Sequence, residues 1–269
     1  MEITLKNIGY RYKNKKLLDH INLKISDNHI TGITGEYKSL LCEMIDAVKM
    51  PTSGSIIIDT TSLEKENVKW IRKEVSIIHQ DYHKQIFTNN VSEEFSFVIS
   101  MLDYKPYNKD KKMEQALLLV GLDNSYLDRD ISTLSSAEVK LVQVAVSLIH
   151  NPNIIIFDEP FIDLDLVNQR RLIKLIKLLK EKYNKTLIIS SNNSDILYEL
   201  TDDVVILKKG RILAADSTNK VYQNFKLLEE NDIEIPHLIL FTKLARNKKV
   251  KLSFHHDIRD LIKDVYKHV

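Results

Sequence analysis

Apolar and polar positions alternate through the first 26 residues, with Ile21, Leu23 and Ile25 two apart, and this period predicts antiparallel strands that bury one face. Residues 54–59 supply another such strand. Further on, the pattern changes character. Segments at 29–33, 75–78, 153–157 and 186–191, rich in consecutive apolar residues, predict strands covered on both faces. Between them apolar residues recur at helical spacing, as in Leu41, Met44, Ile45 and Val48, or Val139, Val142, Leu148 and Ile149. Helices at 94–102 and 113–120 make the stretch from about 86 to 150 helix-rich. A hairpin follows at 204–207 and 211–214, turned by Lys208-Lys209-Gly210, and a last helical pattern (Leu238, Phe241, Leu244) lies beyond 220. Strands interleaved with helices predict an α/β fold.

Candidate chemistry sits at the ends of these runs. Asn153 to Phe157 leads into Asp158, Glu159 and Pro160, which reads as a buried strand delivering two unpaired carboxylates to its exposed tip. Open α/β sheets bind ligands at the carboxyl ends of parallel strands, so a metal-bound nucleotide is the natural guest. A strand followed by an acidic turn has the same local appearance, and a second motif is needed. It lies upstream: Gly32-Ile33-Thr34-Gly35-Glu36-Tyr37-Lys38-Ser39 is almost the loop Gly-x-x-x-x-Gly-Lys-Ser/Thr, with Tyr37 where the last glycine belongs. Backbone N–H groups at the following helix start would cradle phosphate oxygens, with Lys38 adding a charge and Ser39 a hydroxyl for Mg²⁺.

Thr133-Leu134-Ser135-Ser136-Ala137-Glu138 opens an amphipathic helix shortly before the Asp158 strand. Here the chain resembles the ATP-binding cassette (ABC) family, whose signature reads Leu-Ser-Gly-Gly-Gln in that place. The resemblance covers nearly the whole chain and recurs in order at Tyr12, the Gly32 to Ser39 loop, Gln80, Ser135, Asp158 and Glu159, Asp163-Leu164-Asp165, and Asn192 where the family carries histidine. It implies a P-loop NTPase cassette: a RecA-like mixed, mainly parallel sheet core with an antiparallel β subdomain and a helical subdomain at about 86–150. The cassette would span 1–219, with a small helical extension at 220–269.

The resemblance also implies roles, with ATP and Mg²⁺ as cofactors. Tyr12 would stack on adenine, and Lys38 would hold the β- and γ-phosphates. Gly32, Gly35, Tyr37, Ser39 and Leu40 complete the loop, and Ser39, Gln80 and Asp158 form the metal set. Glu159 would accept a proton from water, Gln80 would sense the γ-phosphate, and Asn192 would donate to it. Ser135 would cap the γ-phosphate bound by a second protomer in a head-to-tail dimer.

Composition agrees. A length of 269 residues suits one cassette plus an appendage. Lys+Arg 39 against Asp+Glu 37 leaves +2, so no basic field argues for nucleic acid. The longest apolar runs fall well short of the roughly 20 residues that span a bilayer. The N-terminus shows no signal pattern, and a lone Cys42 forbids an internal disulfide, so the chain reads as cytosolic, with Cys42 buried in the helix after the loop.

Glu234-Ile235-Pro236-His237-Leu238 is similar to the C-terminal extension of energy-coupling factor transporter ATPases, and Gln85-Ile86-Phe87 with Val91, Glu94 and Phe97 to their coupling region. That subfamily implies a second cassette, a membrane-embedded scaffold subunit, peripheral placement on the cytoplasmic face of the membrane, and transport of a vitamin or metal ion. Any short helical tail is the plainer reading of the extension. Lys248, Lys249 and Lys251 read as a solvated face, and His255-His256 lacks metal-site spacing.

The departures carry a second message. Only 6 of 269 residues are glycine, well below the average near 7%. Tyr37 in a left-handed conformation would cost roughly 1–2 kcal/mol, and Glu36 would compete with phosphate for donors at the helix start. Asn192 lacks the charge of a histidine, and losing a transition-state donor costs on the order of 10²–10³ in rate. Ser136 and Ala137 restrict the signature backbone, and Glu138 would face a polyanion. A heterodimer with a more intact cassette is therefore expected. The alternative is a catalytically inactive pseudo-ATPase acting as a structural partner; a soluble cassette of DNA repair or translation is disfavoured, because no basic stripe, coiled coil or second cassette is present.

Overall fold

A computed structural model describes residues 1–81 and 85–268, with the side chain of His268 left aside. The N-terminal alternation forms an antiparallel sheet of β1 (Ile3–Tyr12), β2 (Lys15–Ile25), β4 (Ser53–Ile58) and β5 (Thr61–Ser62), in the order β2-β1-β4-β5. The alternation is not strict, because β1 shifts register against β2 between Leu5 and Ile8, where Asn7 has a φ of 51°. Such a bulge bends the strand and increases its twist.

The apolar runs form the second sheet, ordered β10-β9-β3-β8-β7-β6. Its strands are β3 (Ile30–Gly35), β6 (Val75–Ile78), β7 (Ile154–Asp158), β8 (Thr186–Ser190), β9 (Asp203–Lys208) and β10 (Arg211–Ser217). Strands β6, β7, β8, β3 and β9 are parallel, and β10 closes the edge antiparallel to β9. Every residue of β7 and β8 is buried, and their side chains alternate between two cores. Ile155, Phe157, Leu187 and Ile189 face the helical side, while Ile154, Ile156 and Ile188 face the antiparallel sheet. Burial on both faces is why these strands read as continuous runs rather than alternations.

Helix α1 (Lys38–Ile45) follows β3, and α2 (Val68–Glu74) precedes β6. Val48 does not continue the apolar face of α1 as expected. The helix stops at Ile45, Ala47 takes a left-handed φ of 59°, and Val48 is exposed. Helices α3 (Val91–Met101), α4 (Lys109–Val120) and α5 (Ser136–Leu148) form the helical layer, capped by Asn90, Asn108 and Ser135 respectively. Helix α6 (Leu166–Glu181) joins β7 to β8, and α7 (Ser194–Leu200) joins β8 to β9.

The chain then passes through α8 (Thr218–Tyr222), α9 (Phe225–Glu230), α10 (His237–Asn247) and α11 (Ile258–His268). The expected boundary at 219/220 falls inside α8, whose Val221 and Tyr222 are buried, so the extension leaves the cassette through a packed helix. In α10 the buried residues are Ile239 and Thr242, and the stripe read in the sequence, Phe241 with Leu244, faces outward. His256 stacks on Tyr198 at 4.5 Å and bonds to its carbonyl, and His255 pairs with Asp264 at 3.0 Å. His256 docks the extension on the cassette, while His255 holds the extension to itself. Among the described residues no helix is long and apolar enough to cross a membrane, and no cluster of His, Cys, Asp or Glu would hold a metal ion by itself.

Candidate functional site

The carboxyl ends of β3, β7 and β8 meet at one edge, and the parallel register decides which side chains touch. Asp158 sits opposite Ser190 across β7 and β8, and Ile33 lies opposite Ser190 across β3 and β8. Asp158 Oδ1 accepts hydrogen bonds from Ser190 and, at 2.9 Å, from Ser39 Oγ at the start of α1. One residue on, Glu159 turns left-handed with a φ of 47°, and its amide donates to the Ser190 carbonyl. That turn aims its carboxylate back over β8, where it meets Ser191 Oγ at 3.2 Å, the Asn192 amide at 3.1 Å and Lys38 Nζ at 3.1 Å.

The two carboxylates are therefore neither exposed nor unpaired, as their place at a strand tip predicted. Asp158 is 4% and Glu159 7% exposed, because buried charges must find partners, and the loop residues supply them. Ser190 and Ser191 were missed in the sequence. Their signal was available: two hydroxyls ending an apolar run, parallel in pattern to the carboxylates that end β7.

The phosphate loop reads differently at each position. Tyr37 is left-handed, φ 62° and ψ 18°, and caps α1 without any side-chain hydrogen bond; its ring packs on the core facing the antiparallel sheet. The first helical bond runs from the Leu41 amide to the Tyr37 carbonyl, which leaves the amides of Lys38, Ser39 and Leu40 outside the helical ladder. Leu40 offers only its backbone, since its side chain is buried in the core. Gly35 has a φ of 96°, and a Cβ there would lie 1.9 Å from the Leu207 carbonyl oxygen, so no other residue fits.

Gly32 is a correction. It lies within β3, paired with both neighbouring strands, and a Cβ there would press at 3.0 Å on Leu197 and Thr201. Its smallness serves packing against α7 rather than phosphate approach. Glu36 bonds through its amide to the Leu207 carbonyl, and among the described residues no amide of α1 donates to its carboxylate.

At the start of α5, Ser135 and Glu138 form a reciprocal capping box: Glu138 Oε2 accepts from the Ser135 amide and hydroxyl, each at 2.8 Å. Glu138 Oε1 accepts from the Tyr126 hydroxyl and lies 3.6 Å from Arg129. The Tyr126 and Ser135 hydrogen bonds, with the Arg129 charge, push the Glu138 carboxyl down to about 2. Glu138 thus points into its own chain and is neutralised there, rather than facing a polyanion as the sequence had suggested.

A cleft of about 860 Å³ runs from Ser39 and Asp158 past Gln80 to α3 and α5. Gln80 follows β6 at its rim. Gln85 bridges the Ile77 carbonyl and the His79 amide, and the buried Glu94 accepts the Phe87 and Thr88 amides, so both polar residues pin the loop that displays Phe87. Phe87 is 62% exposed and packs on Phe97 at 4.9 Å, with Met101 also open to solvent. Asp46, buried at the far end, is pushed up to about 8. Lys140 of α5 is buried too; it donates to the Ile162 carbonyl at 2.7 Å, and burial lowers its pKa against the pull of Asp163 and Glu159. Tyr12 stands apart at the end of β1, 59% exposed, with its ring under Lys13. Asn192 is exposed and enters the cluster only by its amide.

The sequence model of the family described as ABC transporter matches residues 18–162, more than half of the chain. The chain belongs to the ABC transporter family. An energy-coupling factor transporter ATP-binding protein EcfA2 of Enterococcus faecalis is 29% identical over 248 residues, covering 88% of this chain and 86% of its own. The EcfA2 of Streptococcus agalactiae is 26% identical over 94% of each chain. Among solved structures, cbiO1 from Clostridium perfringens, part of the ABC transporter complex cbiONQ, superposes with a TM-score of 0.73 at 24% identity over 90% of this chain and 98% of that one. The dimeric bacterial ABC transporter cassette MJ0796 gives 0.73 at 23% identity over 80% of this chain and 98% of that one. These likenesses confirm the α/β cassette fold. The relatives' similarity also runs past residue 162 into the extension, since it covers up to 94% of the chain.

Proposed function

We propose that this chain is the ATP-binding subunit of an energy-coupling type importer, working as one half of a head-to-tail pair of cassettes on a membrane-embedded scaffold. One observation carries the reading: Lys38 and Ser39, Asp158 and Glu159, and Ser190 to Asn192, drawn from three separated segments, form one continuous network at the carboxyl edge of the sheet. The relatives' names support an energy-coupling factor transporter, and their coverage of the extension supports the subfamily.

The donor set fits the expected groups. Ser39 Oγ and Asp158 Oδ1, with the Gln80 side chain at the same cleft, are hard oxygen donors of the kind Mg²⁺ takes. When bound, the ion would neutralise charge on the β- and γ-phosphates. Lys38 would exchange its partner Glu159 for phosphate, and Glu159, still held by Ser191 and the Asn192 amide, would be released to accept a proton from water. Gln80 would report phosphate along the cleft, whose exposed Phe87 and Met101, with Phe97 packed on Phe87, would face the scaffold. Ser135 would serve the partner's nucleotide only by giving up a bond to Glu138.

The test is Mg-ATP binding and turnover by the purified chain, alone and mixed with an intact second cassette of the same subfamily. Binding by the chain and turnover by the mixture that Glu159→Gln abolishes support the reading. A chain that binds nothing until Tyr37→Gly restores affinity is a structural partner with a closed site.

A further inference from the structure

Away from the nucleotide cleft, α4, α5 and α6 converge on a second cavity of about 670 Å³. Its floor is apolar, built from Ala116 and Leu119 of α4, Leu148 and Ile149 at the end of α5, and Leu179 of α6. Two lysines are among its lining residues: Lys112 from the first turns of α4, exposed, and Lys185 beside β8, only 5% exposed. Tyr183 and Leu118 stand at the mouth. No Asp or Glu is among the lining residues.

The charge balance is the informative part. Among the described residues Lys185 Nζ donates to one acceptor, the Asn151 carbonyl at 3.2 Å, although an ammonium carries three donors. The carboxylate acting on it is that of Glu74, which is bonded to Asn153 at 2.6 Å and lies outside the cavity. Burial outweighs that attraction and lowers the Lys185 pKa, and the same positive charge, after burial itself, helps to push His150 down to about 4. A buried cation with so little compensation is costly to keep. Its cost falls when an anion arrives with a body that covers the apolar floor, and a cavity of this size lies within the range of small-molecule sites.

The geometry points to an amphipathic anion site, in which a small molecule with one carboxylate head and an unbranched apolar tail sets its head between Lys185 and Lys112 and its tail along Ala116, Leu119, Leu148 and Leu179. The inference does not depend on the nucleotide reading, since none of these residues belongs to the phosphate network. The site bridges the helical layer and the sheet layer, so an occupant would stiffen the joint between them.

Octanoate and 1-octanol, matched in tail length, serve as probes in calorimetric titrations of the full chain. Saturable binding of one octanoate per chain, about tenfold or more tighter than octanol, is expected, since a charge-assisted hydrogen bond is what separates the two. Lys185→Met keeps the stem and removes the charge, and should erase the preference for octanoate. Leu118→Glu places an acid at the exposed mouth; it should weaken octanoate by a similar factor while leaving the melting temperature unchanged. Absence of saturable octanoate binding, equal binding of octanol, or octanoate binding that survives in both variants would each overturn the proposal. If Lys185→Met melts without cooperativity, Leu118→Glu and the octanol comparison still decide it.

Discussion

Two helices of this molecule begin where the ABC family places glycine, and they have replaced it with opposite consequences. At α1, Tyr37 occupies a backbone position that remains left-handed, and its side chain caps nothing. At α5, Ser136 and Ala137 are ordinary first-turn residues of a helix whose cap, Ser135, is extended with a φ of −67° and doubly bonded to Glu138. Losing a glycine is expensive only where the conformation demands one. The Tyr37 turn holds because its flanks over-determine it: Gly35 is wedged against Leu207 on one side, and Lys38 and Ser39 are tied to Glu159 and Asp158 on the other. The α5 turn needs no such support. Strain therefore sits at the Tyr37 turn, beside the Lys38–Glu159 and Ser39–Asp158 pairs, while the start of α5 is relaxed with its Ser135 hydroxyl committed to Glu138.

The largest effect that sharpens this contrast is at Glu159. With the proposed partner cassette present, Glu159→Gln should reduce phosphate release by about 100-fold or more. Mg-ATP affinity should stay level or rise, because Lys38 loses the buried anion that now competes with phosphate. Turnover left intact by the substitution would move all chemistry to the partner's site. Next is Tyr37→Gly, which removes left-handed strain of roughly 1–2 kcal/mol and opens the loop, so Mg-ATP should bind about tenfold tighter in an equilibrium titration. An unchanged dissociation constant would show that the aromatic residue is not what restrains the loop.

Much of this was legible in the chain itself, and the reason differs by region. Strands β7 and β8 declared themselves because both faces are buried, so Ile154 to Phe157 and Leu187 to Ile189 are apolar without a break before the polar tip. The loop and Asp158 were legible as a pair, because the resemblance places both at one edge of the sheet, where the structure joins Ser39 to Asp158. What escaped was pairing. Nothing in the spacing says that Ser190 lies opposite Asp158, which is a property of parallel register across 32 residues of sequence separation. Glu138 was misread for a related reason, since its partners Tyr126 and Arg129 arrive from a preceding turn that periodicity does not reveal. Gly32 shows a third kind of failure, in which a motif position was right and its physical task was packing.

On the α5 side, Ser135→Ala should cost about 1 kcal/mol in urea unfolding, the usual value of a lost N-cap, and Ser135→Gly only a few tenths. Equal losses in both variants would mean that the Ser135 side chain holds something beyond the helix start. The same substitutions leave the Tyr37 turn untouched, so ATP affinity should not follow stability.

The smallest effect is a pH dependence, and its sign follows from Glu138. Its folded pKa is depressed from 4.5 to about 2, first by the Tyr126 hydroxyl and then by the Ser135 bonds and Arg129. The unfolded chain therefore binds the proton more readily, and the stabilisation is fully present above the unfolded pKa and fades as pH falls through 4.5 toward 2. Glu138→Gln keeps the shape of the capping box but not the charge. Urea midpoints of the two proteins should thus differ in favour of the wild type at neutral pH and converge in acid. Asp19, Asp130 and other carboxyls with lowered pKa titrate equally in both chains, so they cancel in the difference. The gap should be modest and shrink with added salt, because the Glu138 side chain is still 28% exposed and its pairing with Arg129 is screened. A gap that widened on acidification would mean that Glu138 is a burden in the folded chain, as a carboxylate aimed at a polyanion-binding surface would be, rather than the cap that makes α5 begin where it does.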